Sequence, residues 1–459
     1  MSAYHDPIAV IGMGCLFPDA ATPDDFWRNL TAGRSSTSPA TADQFGADPA
    51  LYYDPQRRQP DTTYFMRGGY VRGFTPSDAL PAALDNSYHW SHYVAHAALT
   101  QSGYLNRPDI LARCGLILGN LSFPTRGSHR LTAPLYDAAL QPLIADLLGA
   151  PITLPRSSTT LDSRNANISG GPAAVVAAAL GLGATHFALD AACASSLYAV
   201  SLACDMLAAG KADLMLAGAV NAADPLFVNF GFMHFGAYPE QGDSRPLDAE
   251  SGGLIAGEGA GMLVLKRHAD ALRDGDAVLA VIKSIGLSND GRGKHPLTPN
   301  PRGQILAFQR AYADGGIDPA LVQYVECHAS GTPLGDKTEL NALEEFFGGR
   351  AVAPLIGSVK SNVGHLLTAA GMASMLKVIL AMAHNTLPAT INVQQPLHSH
   401  NHTFGAPQIV TQQRPWNAAE KLAGINAFGF GGVNAHAVIA DTAPLTTPTT
   451  KPTPARLAI

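Results

Sequence analysis

Short apolar segments recur along almost the whole chain, and each ends in glycine or small polar residues. They are apolar on both faces, which is typical of strands that are covered on both sides of a sheet. Longer segments with helical periodicity lie between them, such as those that follow Ser195 and Leu366. The alternation predicts an α/β fold. The apolar segments begin at Pro7, Cys114, Ala184, Ala212, Gly259, Ala277, Val322, Leu355 and Gly424.

A charged stretch, KRHADALRDGD from Lys266, separates two sets of these segments. It predicts an exposed boundary between two similar halves, residues 1–268 and 269–441. From Thr442 the sequence is dominated by Pro and Thr, and no core pattern continues. This composition predicts an extended linker or tail over residues 442–459.

The composition excludes several classes of protein. Charged residues make up only 14% of the chain, against about 25% in an average domain, so the bulk is not disordered and one large unit or an oligomer is favoured. The net charge of −6 argues against a nucleic-acid partner. The N-terminal segment lacks the basic region of a signal peptide, and the longest uncharged run is interrupted by Gly and Pro, which argues against a membrane span. An odd count of five cysteines without CxxC favours a reducing, cytoplasmic location.

Cys193 is the candidate nucleophile. The segment ALDAACASSLYAV places it after an apolar strand and before a long apolar helix. The N–H groups of the first helical turn favour a thiolate, so we expect a lowered pKa of this thiol. A buried structural cysteine is the alternative, and this segment alone does not decide between the two.

Two histidines occupy comparable positions in the second half. The segment VECHASGTPLGDKTEL ends a strand on His328, and its spacing predicts a capping box in which Asp336 is the N-cap and Glu339 its partner. In GSVKSNVGHLLTAAG, Lys360 is expected to close a strand and His365 to open a helix. A helix N-terminus disfavours imidazolium, so His365 is predicted to be a neutral hydrogen-bond donor. A structural histidine remains the alternative for either one taken singly.

The segment NAFGFGGVNAH has glycines around Phe428 and Phe430 that permit backbone N–H groups to face a ligand, or that simply form a tight turn. Neither a phosphate-binding loop nor a GxSxG turn is present. The histidines of HSHNH are interpreted as a solvated loop, because no cysteine or carboxylate pattern supports a metal site. They are His398, His400 and His402.

Taken together these motifs resemble the β-ketoacyl synthases. The resemblance rests on DAACASSL, ECHASGTPLGD, SVKSNVGHLLTAAG and NAFGFGGVNAH, with IAVIGMGCLFPDA and RPLDAESGGLIAGEGAGMLVLK, and it covers roughly Pro7 to Ala440. It implies a thiolase-type five-layer fold of two duplicated βα halves, usually as a homodimer.

The resemblance also implies decarboxylative Claisen condensation in polyketide or fatty-acid biosynthesis. Cys193 would carry the acyl chain as a thioester. His328 and His365 would hydrogen-bond the thioester oxygen of a malonyl-type extender, and Lys360 would organise them electrostatically.

The remaining implied roles concern the oxyanion and the carrier. Backbone N–H groups of Cys193 and Phe430 would form the oxyanion hole. Ser330 and Thr332 would hydrogen-bond the phosphopantetheine arm, which arrives on an acyl carrier protein, so neither a resident cofactor nor a metal is implied.

Some positions depart from the usual family pattern. Ala194 follows the cysteine where Ser is usual, and Val433 replaces Thr in the glycine loop. Ser374 stands where discrete fatty-acid synthases carry Glu, which favours a polyketide synthase or polyunsaturated fatty-acid synthase-like type. The main alternative is a non-elongating partner or chain-length subunit, although such subunits lose the nucleophile. A thiolase would need a second cysteine between Gly424 and His436, and a thiol hydrolase would leave the Lys360–His365 segment unused.

Overall fold

The computed structural model describes residues 7–57, 61–153, 162–292, 298–349 and 353–441. The tail predicted over residues 442–459 lies outside the described residues. The strands are β1 Ile8–Leu16, β2 Thr37–Pro39, β3 Arg67–Gly69, β4 Cys114–Asn120, β5 His186–Leu189, β6 Leu214–Asn221, β7 Gly259–Arg267, β8 Ala280–Asn289, β9 Tyr324–Glu326, β10 Leu355–Gly357, β11 Thr386–Leu387, β12 Arg414–Pro415, β13 Leu422–Gly429 and β14 Val433–Ala440.

The helices follow most of these strands along the chain. They are α1 Pro23–Thr31, α2 Ala42–Phe45, α3 Asn86–Gln101, α4 Pro108–Leu111, α5 Arg126–Leu148, α6 Gly171–Leu180, α7 Ser195–Ala208, α8 Pro225–His234, α9 His268–Asp274, α10 Pro301–Gly315, α11 Pro333–Phe347, α12 Lys360–Val363 and α13 Ala370–Ala383. The charged stretch between the two sets of apolar segments forms the end of β7 and α9. No helix in the described part of the chain is both long enough and apolar enough to cross a lipid bilayer.

The main sheet contains the same topology twice. Its strand order is β10-β9-β13-β14-β8-β1-β7-β6-β4-β5. In the first half β1, β7 and β6 run antiparallel to one another in turn, and β6, β4 and β5 are parallel. In the second half β8, β14, β13, β9 and β10 repeat those orientations in the same spatial order. The predicted duplication of two βα halves is therefore confirmed.

Three hydrophobic clusters show how the layers stack. One cluster joins α3 and α6 to the strands of the first half, and another joins α10 and α11 to those of the second half. The largest cluster contains α7 and α13 together with strands of both halves. The two halves of the sheet meet where three residues of β1 pair with β8. Helices thus cover both faces of each half, which gives the five-layer thiolase-type arrangement.

Burial follows from this layering. Strands β1, β4 and β6 are buried at every position, as expected for strands covered on both faces. Strand β5 differs, because it is the outer strand of the first half and its side chains are exposed or half-buried. Cys193 follows this outer strand, so the candidate nucleophile lies near one edge of the sheet.

Candidate active site

Cys193 lies in a tight turn between β5 and α7. Ala192 adopts a left-handed backbone conformation with φ of 49°, which L-residues avoid and which is found at functional turns. The Asp190 carboxylate accepts the Ala192 N–H at 2.9 Å. The Ser195 hydroxyl accepts the Ala191 N–H at 2.9 Å and donates to the Ala192 carbonyl at 2.6 Å. These bonds hold the turn that presents Cys193 at the start of α7.

The glycine-rich loop between β13 and β14 packs directly on this turn. A side chain at Gly429 would place its Cβ 2.7 Å from the Ala191 carbonyl oxygen and 3.2 Å from the Cys193 nitrogen, so only glycine fits. The close approach brings the Phe430 N–H to the Cys193 sulfur, where it and the N–H of Cys193 itself act as donors that lower the thiol pKa. The structure therefore brings together the two N–H groups expected from the sequence.

The pKa of Cys193 corrects one expectation. Burial raises the pKa of this thiol to about 11, although the Lys360 charge and the two backbone N–H groups oppose the rise. The predicted lowering is wrong, because loss of hydration costs the thiolate more than these groups return. The thiol is therefore protonated at neutral pH, and the surrounding donors act on the charge that develops during reaction.

His328 follows β9 in a loop whose backbone N–H groups donate to two buried carboxylates. Glu339 accepts the His328 N–H at 2.8 Å and the Ala329 N–H at 2.7 Å. Asp336 accepts the Ser330 N–H at 2.9 Å. The predicted capping box is wrong, because the N-cap of α11 is Thr332 and both acids lie inside the helix. They satisfy the backbone of the histidine loop instead of the helix end.

His365 is fixed in one tautomer. Its Nδ1 accepts the Leu367 N–H at 3.1 Å, so the neutral ring carries its proton on Nε2. Burial and the Lys360 charge hold the His365 pKa well below its usual range. The neutral form agrees with the prediction, although burial is its main cause and not a helix N-terminus, since α13 begins only at Ala370. The role of His365 as a hydrogen-bond donor stays a prediction.

His328, His365 and Cys193 face one another. The two imidazole rings lie 5.3 Å apart between centroids, at 79°. The Cys193 sulfur and one nitrogen of each ring all lie within 4.8 Å of one another. Burial, Lys360 and His365 hold the His328 pKa well below its usual range. The site is thus a thiol between two neutral imidazoles.

Lys360 lies beneath this cluster and is fully buried. It does not close a strand as predicted, because β10 ends at Gly357 and Lys360 begins the single turn of α12. Burial lowers the Lys360 pKa, whereas Glu326 and Glu339 oppose the lowering. Lys360 is the largest charge acting on both histidines, in agreement with an electrostatic role.

A cavity of about 290 Å³ opens onto the cluster. Ser330 and Thr332 line it with their hydroxyl oxygens 3.1 Å apart. The side chains of Phe235, Leu334 and Phe430 line it while remaining partly exposed. Cys193, His328 and His365 also line it. All of the site residues predicted from the sequence except Lys360 therefore line the same cavity.

Sequence reasoning missed other lining residues. Asp290 lines the cavity and accepts the Asn434 amide N–H at 2.7 Å. Gln304 lines it as well and is 2% exposed, with a side-chain carbonyl oxygen that has no hydrogen-bond partner among the described residues. The only signals were the polar segments SND and NPRGQ, which resemble ordinary turns. These side chains meet the cavity through long-range packing that no local pattern records.

The cysteine and two imidazoles are close enough to ligate one metal ion by distance alone. The donor set does not fit one, because Nε2 of His365 carries a proton while the Leu367 N–H occupies Nδ1. The neighbouring Lys360 charge further opposes a cation. Within the described residues the HSHNH histidines form no comparable group.

Family models match most of the chain. The model of the beta-ketoacyl synthase N-terminal domain matches residues 5–271, and that of the C-terminal domain matches residues 279–394. The ketoacyl-synthetase C-terminal extension matches residues 403–459.

Curated relatives are much longer than this chain. One of the subunits of a polyunsaturated fatty acid synthase from Thraustochytrium sp. is 36% identical over 451 residues, which are 95% of this chain and 21% of that protein. One of the subunits of the phenolphthiocerol/phthiocerol polyketide synthase from Mycobacterium tuberculosis is 34% identical over 95% of this chain and 28% of its own length. The chain therefore spans between a fifth and a third of these relatives.

Solved structures match over nearly the whole chain. The PfaC keto synthase–chain length factor superposes with a TM-score of 0.93 and 48% identity, covering 97% of this chain and 49% of that one. A ketosynthase from module 6 of the bacillaene synthase of Bacillus subtilis superposes with a TM-score of 0.78 and 28% identity, over 96% and 73%.

Proposed function

The chain belongs to the β-ketoacyl synthase family, and on that premise we propose that it catalyses the decarboxylative Claisen condensation of a Cys193-bound acyl chain with a malonyl-type extender. Both thioesters would be delivered by an acyl carrier protein in polyketide or fatty-acid biosynthesis. The observation that carries the proposal is the meeting of the Cys193 sulfur and two neutral imidazole nitrogens within 4.8 Å.

In the first step Cys193 takes the acyl chain. Its sulfur bonds to the acyl carbonyl carbon, the bond to the phosphopantetheine sulfur breaks, and the thiol proton leaves with the freed carrier thiol. The N–H groups of Cys193 and Phe430 stabilise the tetrahedral oxyanion, and Lys360 stabilises negative charge on sulfur.

In the second step the extender loses CO₂. The electrons of the broken C–C bond move into the thioester and place negative charge on its oxygen. The Nε2–H of His365 donates to that oxygen, with His328 beside it. Each such donor contributes about 10²–10³ in rate. The extender carboxyl is already ionised at neutral pH, so this step needs no proton acceptor.

In the third step the enolate carbon attacks the Cys193 thioester. The new C–C bond forms, the C–S bond to Cys193 breaks, and the β-ketoacyl chain remains on the carrier that brought the extender. The departing Cys193 thiolate takes a proton from water, which restores the thiol for the next acyl transfer. Ser330 and Thr332 line the cavity where they would hydrogen-bond the phosphopantetheine arm. The scheme needs no resident cofactor, because that arm arrives with the substrate.

The alternative is a chain-length subunit, and the PfaC relative combines such a factor with a keto synthase in its name. Retention of the thiol and both imidazoles in one cavity favours the elongating role, since a subunit that only shapes the chain needs none of them. We further propose a cytoplasmic, reducing location, which all five cysteines being free supports.

We propose that the enzyme acts as a homodimer. Within the described residues no further strand pairs with the outer edge of β5, and Gly127 is the one buried residue of helix α5. Large apolar side chains on α5, such as Leu143 and Leu147, are exposed. Uncovered strand edges and apolar surfaces of this kind are typical of interfaces. Light scattering should give twice the chain mass, and the double variant Leu143→Glu with Leu147→Glu should give a monomer.

The experiment that tests the function follows carbon–carbon bond formation. The protein is incubated with acyl and malonyl carriers, and the β-ketoacyl carrier and CO₂ are measured. The product should require Cys193 and persist in Cys204→Ala, whose buried thiol lies in α7, the helix that follows Cys193. Release of free acid without a new carbon–carbon bond would instead support a hydrolase.

A further inference from the structure

A second buried lysine lies close to the active site without touching its cavity. The Lys377 ammonium is 2.7 Å from Oε2 of Glu326, and the Tyr324 hydroxyl donates to the same oxygen at 2.6 Å. Lys377 also donates to the Tyr324 oxygen at 3.0 Å. We call these three residues, each at most 1% exposed, the Lys377 cluster. A buried ion pair costs hydration, so its presence calls for a physical role.

The Glu326 carboxylate connects this cluster to the active site. Its other oxygen, Oε1, accepts the Val359 N–H at 2.6 Å, and Val359 is the N-cap of α12, which Lys360 begins. Glu326 itself is the last residue of β9, two positions before His328. One carboxylate therefore fixes the backbone segments that carry Lys360 and His328.

Several acidic groups act electrostatically on Lys360, and Lys360 acts in turn on the two histidines. Glu326, Glu339, Asp336 and Cys193 each favour the charged form of Lys360, and Glu326 is the strongest of the four. Lys360 in turn is the largest charge acting on His328 and His365. Beside the two imidazoles lie the Lys360 charge and the Cys193 thiol, and the Glu339 carboxylate accepts the backbone N–H of His328.

We propose that Lys377, with Tyr324, is a positioning residue for the condensation: by neutralising Glu326 it leaves the positive charge of Lys360 acting on Cys193, His328 and His365. This inference rests on the proposed function for its reaction. It assigns a role to a buried pair that the reaction scheme does not otherwise use.

Removal of the Lys377 charge has a defined consequence. Glu326 would then lose the ammonium paired with its Oε2, and its uncompensated negative charge would act on Lys360. The positive potential at the imidazoles would fall. His328 and His365 would take up protons at higher pH, because less positive charge opposes the imidazolium. A proton on Nδ1 of His365 would point at the Leu367 N–H that this nitrogen now accepts. The protonated ring would therefore lose the hydrogen bond that fixes its orientation.

The first experiment measures decarboxylation of a malonyl carrier against pH. In Lys377→Met the acidic limb of the profile should move to higher pH by about one unit. Lys377→Arg keeps the charge and should restore the wild-type limb. A purely structural role would lower the rate at every pH and leave the limb in place, and that result would overturn the inference.

The first half of the chain offers a matched control. The Lys266 ammonium lies 2.6 Å from both the Tyr104 hydroxyl and the Asp276 carboxylate, and it is 5% exposed. Asp274 adds a second carboxylate at 2.7 Å from the same ammonium. The set is thus a lysine–tyrosine–acid combination like the Lys377 cluster with one acid more, on β7 and outside the catalytic cavity. Lys266→Met should lower the melting temperature and leave the pH profile unchanged.

Two further measurements keep the inference open to refutation. If Lys377→Met does not fold, Tyr324→Phe keeps every charge and should move the limb in the same direction by less; no movement would refute the role. Iodoacetamide alkylation of Cys193 needs no substrate, and at pH 8 its rate in Lys377→Met should fall by up to about tenfold. A wild-type protein that fails to condense would contradict the proposed function, whereas an unchanged alkylation rate would contradict this inference alone.

Discussion

The two halves of the molecule contain the same turn with different contents. In the first half Ala192 has φ of 49° and begins a three-residue 3₁₀ helix, followed by α7. In the second half Leu367 has φ of 50° and begins an equivalent 3₁₀ helix, followed by α13. The next residue is Cys193 in one turn and Thr368 in the other.

The partners of the two turns explain their different chemistry. Cys193 faces the cavity and the Phe430 N–H, whereas the Thr368 hydroxyl donates to the Val220 carbonyl at 2.6 Å and is fully buried. In the second turn the Leu367 N–H instead fixes His365. The same backbone turn therefore presents the nucleophile in one half and orients a hydrogen-bond donor in the other.

We expect the largest effect on the condensation rate from removing the thiol of the first turn. Cys193→Ala should lower condensation by a factor on the order of a thousand or more, because no other side chain replaces the nucleophile. Decarboxylation of the extender should continue, since both imidazoles remain. Parallel assays of β-ketoacyl carrier and CO₂ check this. Loss of both reactions together would mean that decarboxylation also depends on Cys193 and not on the two imidazoles alone.

A histidine variant tests the other side of the comparison. His328→Ala should lower decarboxylation by about 10²–10³, because one donor to the developing oxyanion is lost. Acyl transfer to Cys193 should change far less, since its oxyanion is held by backbone N–H groups. Separate rates for the two half-reactions provide the measurement, and equal losses would contradict the assigned role.

The protonation state of the first turn gives an effect of intermediate size. Because burial raises the pKa of Cys193 to about 11, the thiolate fraction should still be rising with pH between pH 7 and pH 9. Alkylation by iodoacetamide should therefore accelerate about tenfold per pH unit, or about a hundredfold over this range. A rate that levels off below pH 8 would show that the thiol is far more acidic than its burial implies.

The smallest effects concern the strained residues themselves. Ala192→Gly should change the free energy of unfolding by no more than about 1 kcal/mol, because glycine adopts positive φ freely. Leu367→Gly removes a buried side chain that packs in a hydrophobic cluster, so it should destabilise the protein by about 2–5 kcal/mol. Denaturant unfolding of both variants compares the turns directly, and equal effects would mean that Leu367 packs no better than Ala192.

Local patterns predicted the fold well and the electrostatics poorly. The apolar segments form strands, as predicted, because a segment that is apolar at every position is stable only where both of its faces are buried. The predicted lowering of the Cys193 pKa was wrong because the thiol is buried and loses its hydration. The loop at Gly429, which is distant in sequence, packs against the turn that carries this thiol. The predicted cap at Asp336 was wrong because its carboxylate turns to the Ser330 N–H, a contact made only once the loop folds back on α11.

The mass of the protein after exposure to an acyl carrier tests directly whether Cys193 is the nucleophile. We predict that the intact chain gains the mass of one acyl group and that peptide mapping places it on the sulfur of Cys193. An adduct on another residue, or an unmodified chain while the carrier loses its acyl group to water, would contradict the account.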